Sequence, residues 1–195
     1  MRYILLLMSV AFLLPSRSDA QQEKRSFAVL IVDMQYGFYE RGDVEKSKEL
    51  SALVRNQTEL LTFAVQQKIP IIFLEYAGFG KTDTKLLKAV EGARVEHIKK
   101  DRDSGFSNSE LESSLHSLGV DTIIVAGING CCCIFNTALD ATDAGFDVYT
   151  SPDLIGNLNH NPPRFPDRSW VFESSNLFMF DSYLFILKNI ASGSI

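Results

Sequence analysis

Three residues of different chemical types follow predicted strands of this 195-residue sequence. Asp33 follows the first strand, Lys100 follows the third, and Cys133 comes just after the turn that ends the fourth. Ligands of open α/β sheets bind beyond the carboxyl ends of the strands, so we expect these side chains to converge. A thiolate is a nucleophile, an ammonium group supports negative charge, and a carboxylate can accept a proton and return it to a leaving amine. The set predicts nucleophilic catalysis by sulfur.

The sequence around the sulfur favours this chemistry. Cys133 is predicted to begin a helix, where backbone N–H groups and the helix dipole favour the thiolate, and Lys100 adds a positive charge. Gly127 and Gly130 allow the turn to bend tightly and direct N–H groups inward, as a developing oxyanion requires. Each residue taken alone also fits a structural role: Asp33 as a turn residue, Lys100 as a solvated charge, and Cys133 as a small buried hydrophobe.

All the cysteines of the chain are contiguous, at Cys131, Cys132 and Cys133. An odd number of adjacent cysteines cannot form a disulfide framework. Metal binding is disfavoured, because no C-x-x-C or H-x-x-x-H spacing occurs and the histidines are far apart. The remaining interpretations are a buried small-residue turn and one reactive thiol with two packing neighbours; redox exchange of Cys131 and Cys132 with Cys133 is a lesser alternative.

Strand and helix patterns alternate along the chain. The predicted strands are Phe27 to Val32, Ile69 to Tyr76, a weaker Arg94 to Ile98, Asp121 to Ala126, and Phe146 to Ser151 as the last. The predicted helices are Val44 to Gln67, Lys85 to Val90, one from a cap at Ser107 or Asn108 to Leu118, and Cys133 to Ala144. Parallel neighbours need crossover connections, so this alternation predicts a single α/β domain, a three-layer αβα arrangement of Rossmann-like type with a mostly parallel central sheet. Residues 157–167 are predicted to be loop, and the apolar tail after them is left open.

The first twenty residues have the composition of a secretory signal peptide, with Arg2, an apolar run and small residues before Ala20. The twelve-residue run from Tyr3 to Leu14 is shorter than the 18 or so apolar residues that span a bilayer. We therefore expect residues 1–20 to be removed and a mature domain, residues 21–195, to be secreted without stable membrane contact; an uncleaved anchor and a buried helix are the alternatives. Asn56 begins an N-glycosylation sequon.

The charge distribution argues against nucleic acid as a partner. The formal net charge is -5, and the lysines and arginines form no basic stripe. The hydrophobic fraction of 46% is typical of a soluble globular protein with a buried core.

Three spaced motifs occur in the order of a known family. A strand followed by a D-x-Q signature appears as VLIVDMQYGF and contains Asp33. A lysine segment appears as KDRDSGFSNSEL and selects Lys100 over Lys99. A nucleophile segment appears as GINGCCCIFNTALDATDAG and selects Cys133. Over residues 27–151 the sequence therefore resembles the isochorismatase-like cysteine hydrolase family, whose fold is the three-layer type predicted above.

The resemblance implies a role for each matched residue. Cys133 is the nucleophile, Asp33 is the general base, and Lys100 supplies the charge that supports both. The family also places a non-proline cis peptide in the turn before the nucleophile, here between Ile128 and Asn129. The backbone N–H groups of Asn129 and Cys133 would then form the oxyanion hole.

The resemblance also narrows the reaction. Metal-dependent nicotinamidases of the family carry an Asp and two histidines after the second strand. This chain has LEYAGFGKTD there, without a histidine, so the resemblance implies neither a metal, a cofactor nor nicotinamide. Family members that cleave a vinyl ether lack the cysteine, so Cys133 favours attack on a carbonyl carbon. We expect hydrolysis of a small amide or carbamoyl-type C–N bond through a thioester. Glu75, Tyr76 and Phe79 follow the second strand and are candidates to line the substrate pocket, or to pack within the loop.

A second hypothesis is a catalytically retired, secreted binding protein that keeps the fold. Its contact surface would be the apolar tail, residues 170–190. This family commonly assembles, and such a tail is suited to burial against a partner, so a homo-oligomer is a further expectation.

Overall fold

The structure of the chain, a computed structural model, describes residues 25–39, 44–157 and 175–195. The strands in these ranges are β1 (Phe27–Val32), β2 (Ile71–Tyr76), β3 (Val95–Lys100), β4 (Thr122–Ile128), β5 (Asp147–Thr150), β6 (Ile155–Gly156) and β7 (Leu177–Met179). The α-helices are α1 (Tyr36–Tyr39), α2 (Val44–Gln67), α3 (Thr84–Ala89), α4 (Ser109–Ser117), α5 (Phe135–Asp143) and α6 (Tyr183–Ser192). Two 3₁₀ turns cover Gly105–Ser107 and Pro152–Leu154, and a π-helical turn covers Gly130–Ile134.

The strands form one sheet in the order β3-β2-β1-β4-β5-β7, with the short β6 beside β4. Every pairing between these strands is parallel. In the register of the central strand β1, Val29 lies opposite Ile71 of β2 and Phe27 lies opposite Thr122 of β4. All six residues of β1 are buried, as expected where helices cover both faces of a parallel sheet. The predicted mostly parallel sheet is confirmed.

Helices cover both faces of the sheet and form two apolar cores. One core lies under α2, α3 and α6 and includes Val29, Ile31, Leu53, Leu60, Leu61, Leu86 and Ile186. The other lies under α4 and α5 and includes Leu30, Val32, Leu111, Leu115, Ala138 and Ala141. Successive residues of β1 contribute to opposite cores because strand side chains alternate between faces. Burial of each leucine or isoleucine contributes about 1.5–3 kcal/mol. The predicted three-layer αβα architecture is confirmed.

Several predicted element boundaries differ from the structure. The bounds of β1 and α2 agree with the prediction, but β3 continues to Lys100, which is therefore the last residue of a strand. β4 likewise extends to Ile128. β5 is not the last strand, because β6 and β7 follow it, and the described end of the apolar tail forms β7 and α6.

The helix predicted to begin at Cys133 begins earlier and in a different conformation. Residues Gly130–Ile134 form a π-helical turn, in which Ile134 N donates to Asn129 O at 3.1 Å, and α5 starts only at Phe135. Such wide turns are rare and are frequently found at functional sites. Cys133 therefore lies inside this turn and not at the first residue of an α-helix.

Two predictions concern segments that the structure does not describe. The signal peptide, residues 1–20, lies outside the described residues, as does the predicted loop beyond Asn157. Among the helices that are described, none has both the length and the hydropathy needed to cross a bilayer.

The glycosylation sequon lies in the middle of α2. The Asn56 side chain donates through Nδ2 to Asp153 O at 2.9 Å, and Thr58 Oγ1 donates to Val54 O at 2.7 Å. Both sequon side chains are thus engaged in hydrogen bonds of a folded helix, an environment unlike the surface loop typical of an acceptor site.

Candidate active site

Asp33 and Lys100 meet at the carboxyl edge of the sheet. Asp33 directly follows β1, and its backbone N–H donates to Leu74 O of the neighbouring strand at 2.9 Å. Its φ of 54° lies in the left-handed region, which non-glycine residues adopt at a cost and which is often found at functional sites. Lys100 Nζ donates to Asp33 Oδ2 at 2.8 Å, and both side chains are fully buried. The ends of β1 and β3, which lie on either side of β2, therefore bring Asp33 and Lys100 together as a buried ion pair.

The Lys100 ammonium is held from several directions. It donates to the backbone carbonyls of Arg102 at 3.1 Å and Asp103 at 3.0 Å, and it lies 4.5 Å from the ring centroid of Tyr76. The neighbouring Lys99 is exposed, because alternate residues of β3 point to opposite faces. The motif's choice of Lys100 over Lys99 therefore agrees with the direction of the side chains. A buried ammonium needs such partners, since an unpaired one is strongly disfavoured.

Cys133 is the buried member of the three cysteines. It is 3% exposed, and its thiol donates to Asp103 Oδ1 at 3.9 Å. The exposed Cys131 and half-buried Cys132 have their sulfurs 3.8 Å apart. The peptide bond between Ile128 and Asn129, just before the π-helical turn, is cis.

Burial raises the pKa of the Asp33 carboxyl, while the Lys100 charge and the Cys133 thiol act to lower it. Asp33 Oδ2 is bound by Lys100, whereas Oδ1 is buried and accepts no hydrogen bond from any residue that the structure describes. One carboxylate oxygen is thus occupied, and the other remains able to receive a proton. A carboxyl with a raised pKa is better suited to return that proton at neutral pH.

The protonation of Cys133 differs from the expectation. A hydrogen bond with the Cys132 thiol, burial and the negative charge of Asp33 raise the pKa of Cys133, and only the charge of Lys100 opposes them. Because Lys100 is already paired with Asp33, its charge does little for the sulfur. These effects favour the thiol over the thiolate that the sequence predicts, so attack by Cys133 calls for a base. By contrast, hydrogen bonding with Cys133 lowers the pKa of Cys132 to about 6, and burial raises that of Cys131 to about 11.

Asp103 is a site residue that the sequence predictions missed. It lies in an exposed stretch between β3 and the following 3₁₀ turn, and nothing in its local sequence distinguishes it from the neighbouring Asp101. The signal that could have identified it is its position three residues after Lys100, at the same edge of the sheet as Cys133.

The three candidate pocket residues, Glu75 and Tyr76 at the end of β2 and Phe79 after it, do not all lie at the site. Tyr76 does, since it pairs with Lys100 in the sheet register and its ring contacts the ammonium. Phe79 is 37% exposed and stacks on Phe38 with ring centroids 4.1 Å apart. Glu75 does not lie at the site, because its side chain makes its contacts elsewhere.

Glu75 is directed to the opposite face of β2 from Tyr76. Its Oε1 accepts a hydrogen bond from Thr82 at 2.5 Å and lies 3.1 Å from His97 Nδ1. The His97 ring stacks in turn on Phe73, which belongs to the core under α2. The prediction that Glu75 lines the pocket is therefore wrong, because side chains alternate along the strand.

Gln35 of the D-x-Q signature has a positioning role. Its side-chain amide donates to the carbonyl oxygens of Tyr76 at 3.1 Å and Gly80 at 2.8 Å, and its Oε1 accepts from Tyr76 N at 2.7 Å. Gln35 is 2% exposed, so these bonds satisfy a buried amide. They fix the loop after β2 against Asp33 and explain why a glutamine stands two residues after the carboxylate.

The loop between β2 and α3 does not fit the metal set of the nicotinamidases in the family. It contains no histidine, and Asp83 caps α3 by accepting a hydrogen bond from Lys85 N at 2.7 Å. The side chains present offer no pair of imidazole ligands, so no step of the reaction is assigned to a metal.

The domain has three layers, with a parallel sheet between two layers of helices. A buried Asp–Lys pair lies beside the cysteine turn at the carboxyl edge of that sheet, as in the site of an α/β enzyme. Residues 27–165 match the family model of the isochorismatase domain. The chain belongs to the isochorismatase family.

Two curated relatives, both from Arabidopsis thaliana, match parts of the chain. Nicotinamidase 3 is 30% identical over 83 residues, which are 41% of this chain and 42% of that protein. A protein named "Probable inactive nicotinamidase" is 28% identical over 144 residues, 60% of this chain and 73% of that protein. The matched segment thus spans less than half the length of nicotinamidase 3.

Solved structures share the fold over most of the chain. The MAR1 ribonuclease of Caenorhabditis elegans has a TM-score of 0.72 at 19% identity, covering 88% of this chain and 84% of that one. The YcaC gene product of Escherichia coli, an octameric hydrolase of unknown specificity, has a TM-score of 0.66 at 20% identity, covering 92% and 89%. Identities this low support the fold alone.

Proposed function

We propose that the protein is a cysteine hydrolase that cleaves the C–N bond of a small amide or carbamoyl compound through a thioester on Cys133. The observation that carries the proposal is the state of Asp33. Lys100 occupies one of its oxygens, the other is buried without a hydrogen bond from the described part of the chain, and the Cys133 thiol interacts with the carboxyl. This is the arrangement of a nucleophile beside its base, with the base oriented by a third group.

The first half of the reaction forms the thioester. Asp33 takes the thiol proton of Cys133 as the sulfur attacks the carbonyl carbon, and the carbonyl π electrons move to its oxygen. The backbone N–H groups of Asn129 and Cys133 donate to that oxygen. The tetrahedral intermediate then collapses as Asp33 returns the proton to the nitrogen, the C–N bond breaks, and the amine or ammonia leaves.

The second half regenerates the thiol. Asp33 takes a proton from water as the water oxygen attacks the thioester carbon, and the C–S bond breaks. The proton returns to the sulfur, and a carboxylic or carbamic acid is released. Lys100 keeps Asp33 oriented throughout and offsets its negative charge. The similarity to nicotinamidase 3 supports an amide as the substrate class, while the lack of a histidine pair after β2 argues against a metal-dependent route.

A screen of purified protein against small amides, carbamates and ureas, with ammonia release as the readout, tests this proposal. Cys133→Ala and Cys133→Ser should both abolish turnover. Cys131→Ser is a matched control, since Cys131 is an exposed cysteine of the same turn. Intact mass after rapid quenching should show a substrate-derived acyl group on the wild type only. Full activity in Cys133→Ser would exclude attack by sulfur.

A second candidate, a catalytically retired binding protein, is favoured by a different observation. One relative carries the name of an inactive nicotinamidase, and α6 exposes large apolar side chains, with Leu184 57% and Phe185 51% exposed. The same two residues support a homo-oligomer in which α6 is buried, and a protein that shares the fold is an octameric hydrolase. Light scattering of Leu184→Lys/Phe185→Lys against the wild type tests this, since an oligomer built on α6 should dissociate.

We further propose secretion of a mature chain that starts after Ala20. The support is compositional, namely a short apolar run ahead of small and polar residues. N-terminal sequencing of protein recovered from the medium of expressing cells tests it. A chain retained in cells with Met1 intact would contradict the proposal.

A further inference from the structure

Asp103 lies against the sulfur at a fixed position. Its Oδ1 accepts a hydrogen bond from Cys133 Sγ at 3.9 Å, and its backbone carbonyl is bound by Lys100 Nζ at 3.0 Å. The next residue, Ser104, is 8% exposed and accepts a hydrogen bond from Phe106 N at 3.1 Å. The chain at Asp103 is therefore held from both sides, while its side chain is open to solvent.

The charges around the sulfur do not cancel. Lys100 and Asp33 neutralise each other within a buried pair. Asp103 takes part in none of the ion pairs among the described residues. Tyr76, which adjoins the site, has a pKa raised by burial and further by the negative charge of Asp103. An approaching substrate therefore meets one unpaired carboxylate beside the nucleophile.

We infer that Asp103 determines substrate specificity, and that the preferred substrates are small amides with a cationic group, such as an ammonium, amidinium or guanidinium, next to the scissile bond. The cation would pair with the Asp103 carboxylate in place of the thiol, which frees the sulfur as its proton leaves for Asp33. Carboxylate-bearing amides would be repelled at the same position. This inference deepens the proposed function and rests on it.

Charged thiol reagents test the inference without a known substrate. In a Cys131→Ser/Cys132→Ser background, Cys133 is the sole thiol. Its rate of modification is measured with 2-aminoethyl methanethiosulfonate, a cation, and with 2-sulfonatoethyl methanethiosulfonate, an anion. Each rate is divided by that of free 2-mercaptoethanol. The normalised cation-to-anion ratio should be about tenfold or more, given the interaction of unit charges about 4 Å apart near a protein surface.

Asp103→Asn in that background should bring the ratio close to one. Asp101→Asn is the matched control, because it removes the same charge two residues away. The thiol of Cys133 binds Asp103 and not Asp101, whose backbone carbonyl accepts a hydrogen bond from the Tyr76 hydroxyl. Asp101→Asn should keep most of the ratio. A ratio near one in the parent, or equal effects of the two variants, would overturn the inference.

An amide panel of cationic, neutral and anionic members separates this inference from the proposed function. Cys133-dependent turnover that prefers cationic amides, with a kcat/KM that falls about tenfold in Asp103→Asn, supports both. Cys133-dependent turnover confined to anionic or neutral amides would keep the proposed function and overturn the inference. A charge-selective thiol without hydrolysis of any amide would overturn the proposed function and restrict Asp103 to ligand binding.

Discussion

The Gly105 backbone N–H donates to Thr137 Oγ1 at 3.0 Å, and this buried hydrogen bond ties the lysine segment to the helix that follows the nucleophile. Gly105 is five residues after Lys100, and Thr137 is four residues after Cys133. The bond therefore sets the distance between the part of the site that ends β3 and the part that follows β4. It explains why both motifs specify these positions.

Thr137→Val should destabilise the protein and reduce its activity. The valine keeps the shape of the threonine but leaves the buried Gly105 N–H without an acceptor, which costs about 1–3 kcal/mol. Thr142→Val is the matched control in the same helix, because the Thr142 hydroxyl donates to Leu139 O within α5. Urea denaturation measures both variants. Equal losses in the free energy of unfolding would show that the hydrogen bond to Gly105 contributes no more to stability than the one within α5.

Asp33→Asn should destabilise the protein by about 3–5 kcal/mol, because it leaves the Lys100 ammonium buried without its counter-charge. Asparagine is the suitable replacement, since it tolerates the left-handed φ of Asp33. Lys100→Met should be similarly destabilising. The double variant Asp33→Asn/Lys100→Met should recover most of the loss in denaturation experiments while hydrolysis stays abolished. A double variant with additive losses would show that the two charges are not coupled.

The sheet could be predicted because it follows from local patterns, and the place of Asp33 and Lys100 at its carboxyl edge follows from where β1 and β3 end. The apolar run before Asp33 and the helical spacing that Pro70 ends predict the correct bounds for β1 and α2. Asp103 could not be predicted in this way, since its contact with Cys133 joins residues 30 positions apart through the convergence of two strands. The raised pKa of Cys133 could not be predicted either, because its causes are the hydrogen bond with Cys132, burial, and the charge of Asp33, which lies 100 positions away in the sequence.

The error at Glu75 has a simpler cause. Tyr76 pairs with Lys100 in the parallel register, so the two side chains share a face of the sheet. Glu75 must then lie on the other face, beside His97. The alternation of side chains along β2 would have separated the two residues, had the register with β3 been known.

Alkylation should select among the three thiols at neutral pH. Hydrogen bonding with Cys133 lowers the pKa of Cys132 to about 6, whereas the pKa of Cys131 is about 11. Iodoacetamide at pH 7 should therefore modify Cys132 first, since the thiolate is the reactive form. Cys133→Ala removes the main donor, so the pH at half-maximal rate should rise from about 6 toward the ordinary value, and the rate at pH 7 should fall. Fragment-ion mass spectrometry locates the label.

Cys131→Ala is the control for that measurement, because the Cys131 thiol makes a smaller contribution in the same direction. Its effect on the alkylation of Cys132 should be correspondingly smaller. An unchanged pH profile in Cys133→Ala would contradict the assigned cause of the low pKa.

Gly127→Ala should disrupt the site by separating the two strands that carry it. Gly127 lies opposite Val32 in the register of β4 and β1, and a Cβ there would lie 2.1 Å from Val32 O. Because Val32 directly precedes Asp33, relief of this clash must move the carboxylate away from the turn that holds Cys133. The variant should lose hydrolytic activity and several kcal/mol of stability, more than the roughly 1–2 kcal/mol that an alanine costs at a positive-φ position in open space.

Gly119→Ala separates the clash from the backbone effect. Gly119 also has a positive φ, of 66°, but no atom lies within 4 Å of the Cβ that an alanine would add there. Its cost should stay near the strain of an L-residue in the left-handed region, about 1–2 kcal/mol, with activity retained. Thermal denaturation and the amide assay are run on both variants. Equal losses of stability and activity in Gly127→Ala and Gly119→Ala would contradict this prediction. They would show that the close approach of β1 and β4 does not set the distance from Asp33 to Cys133.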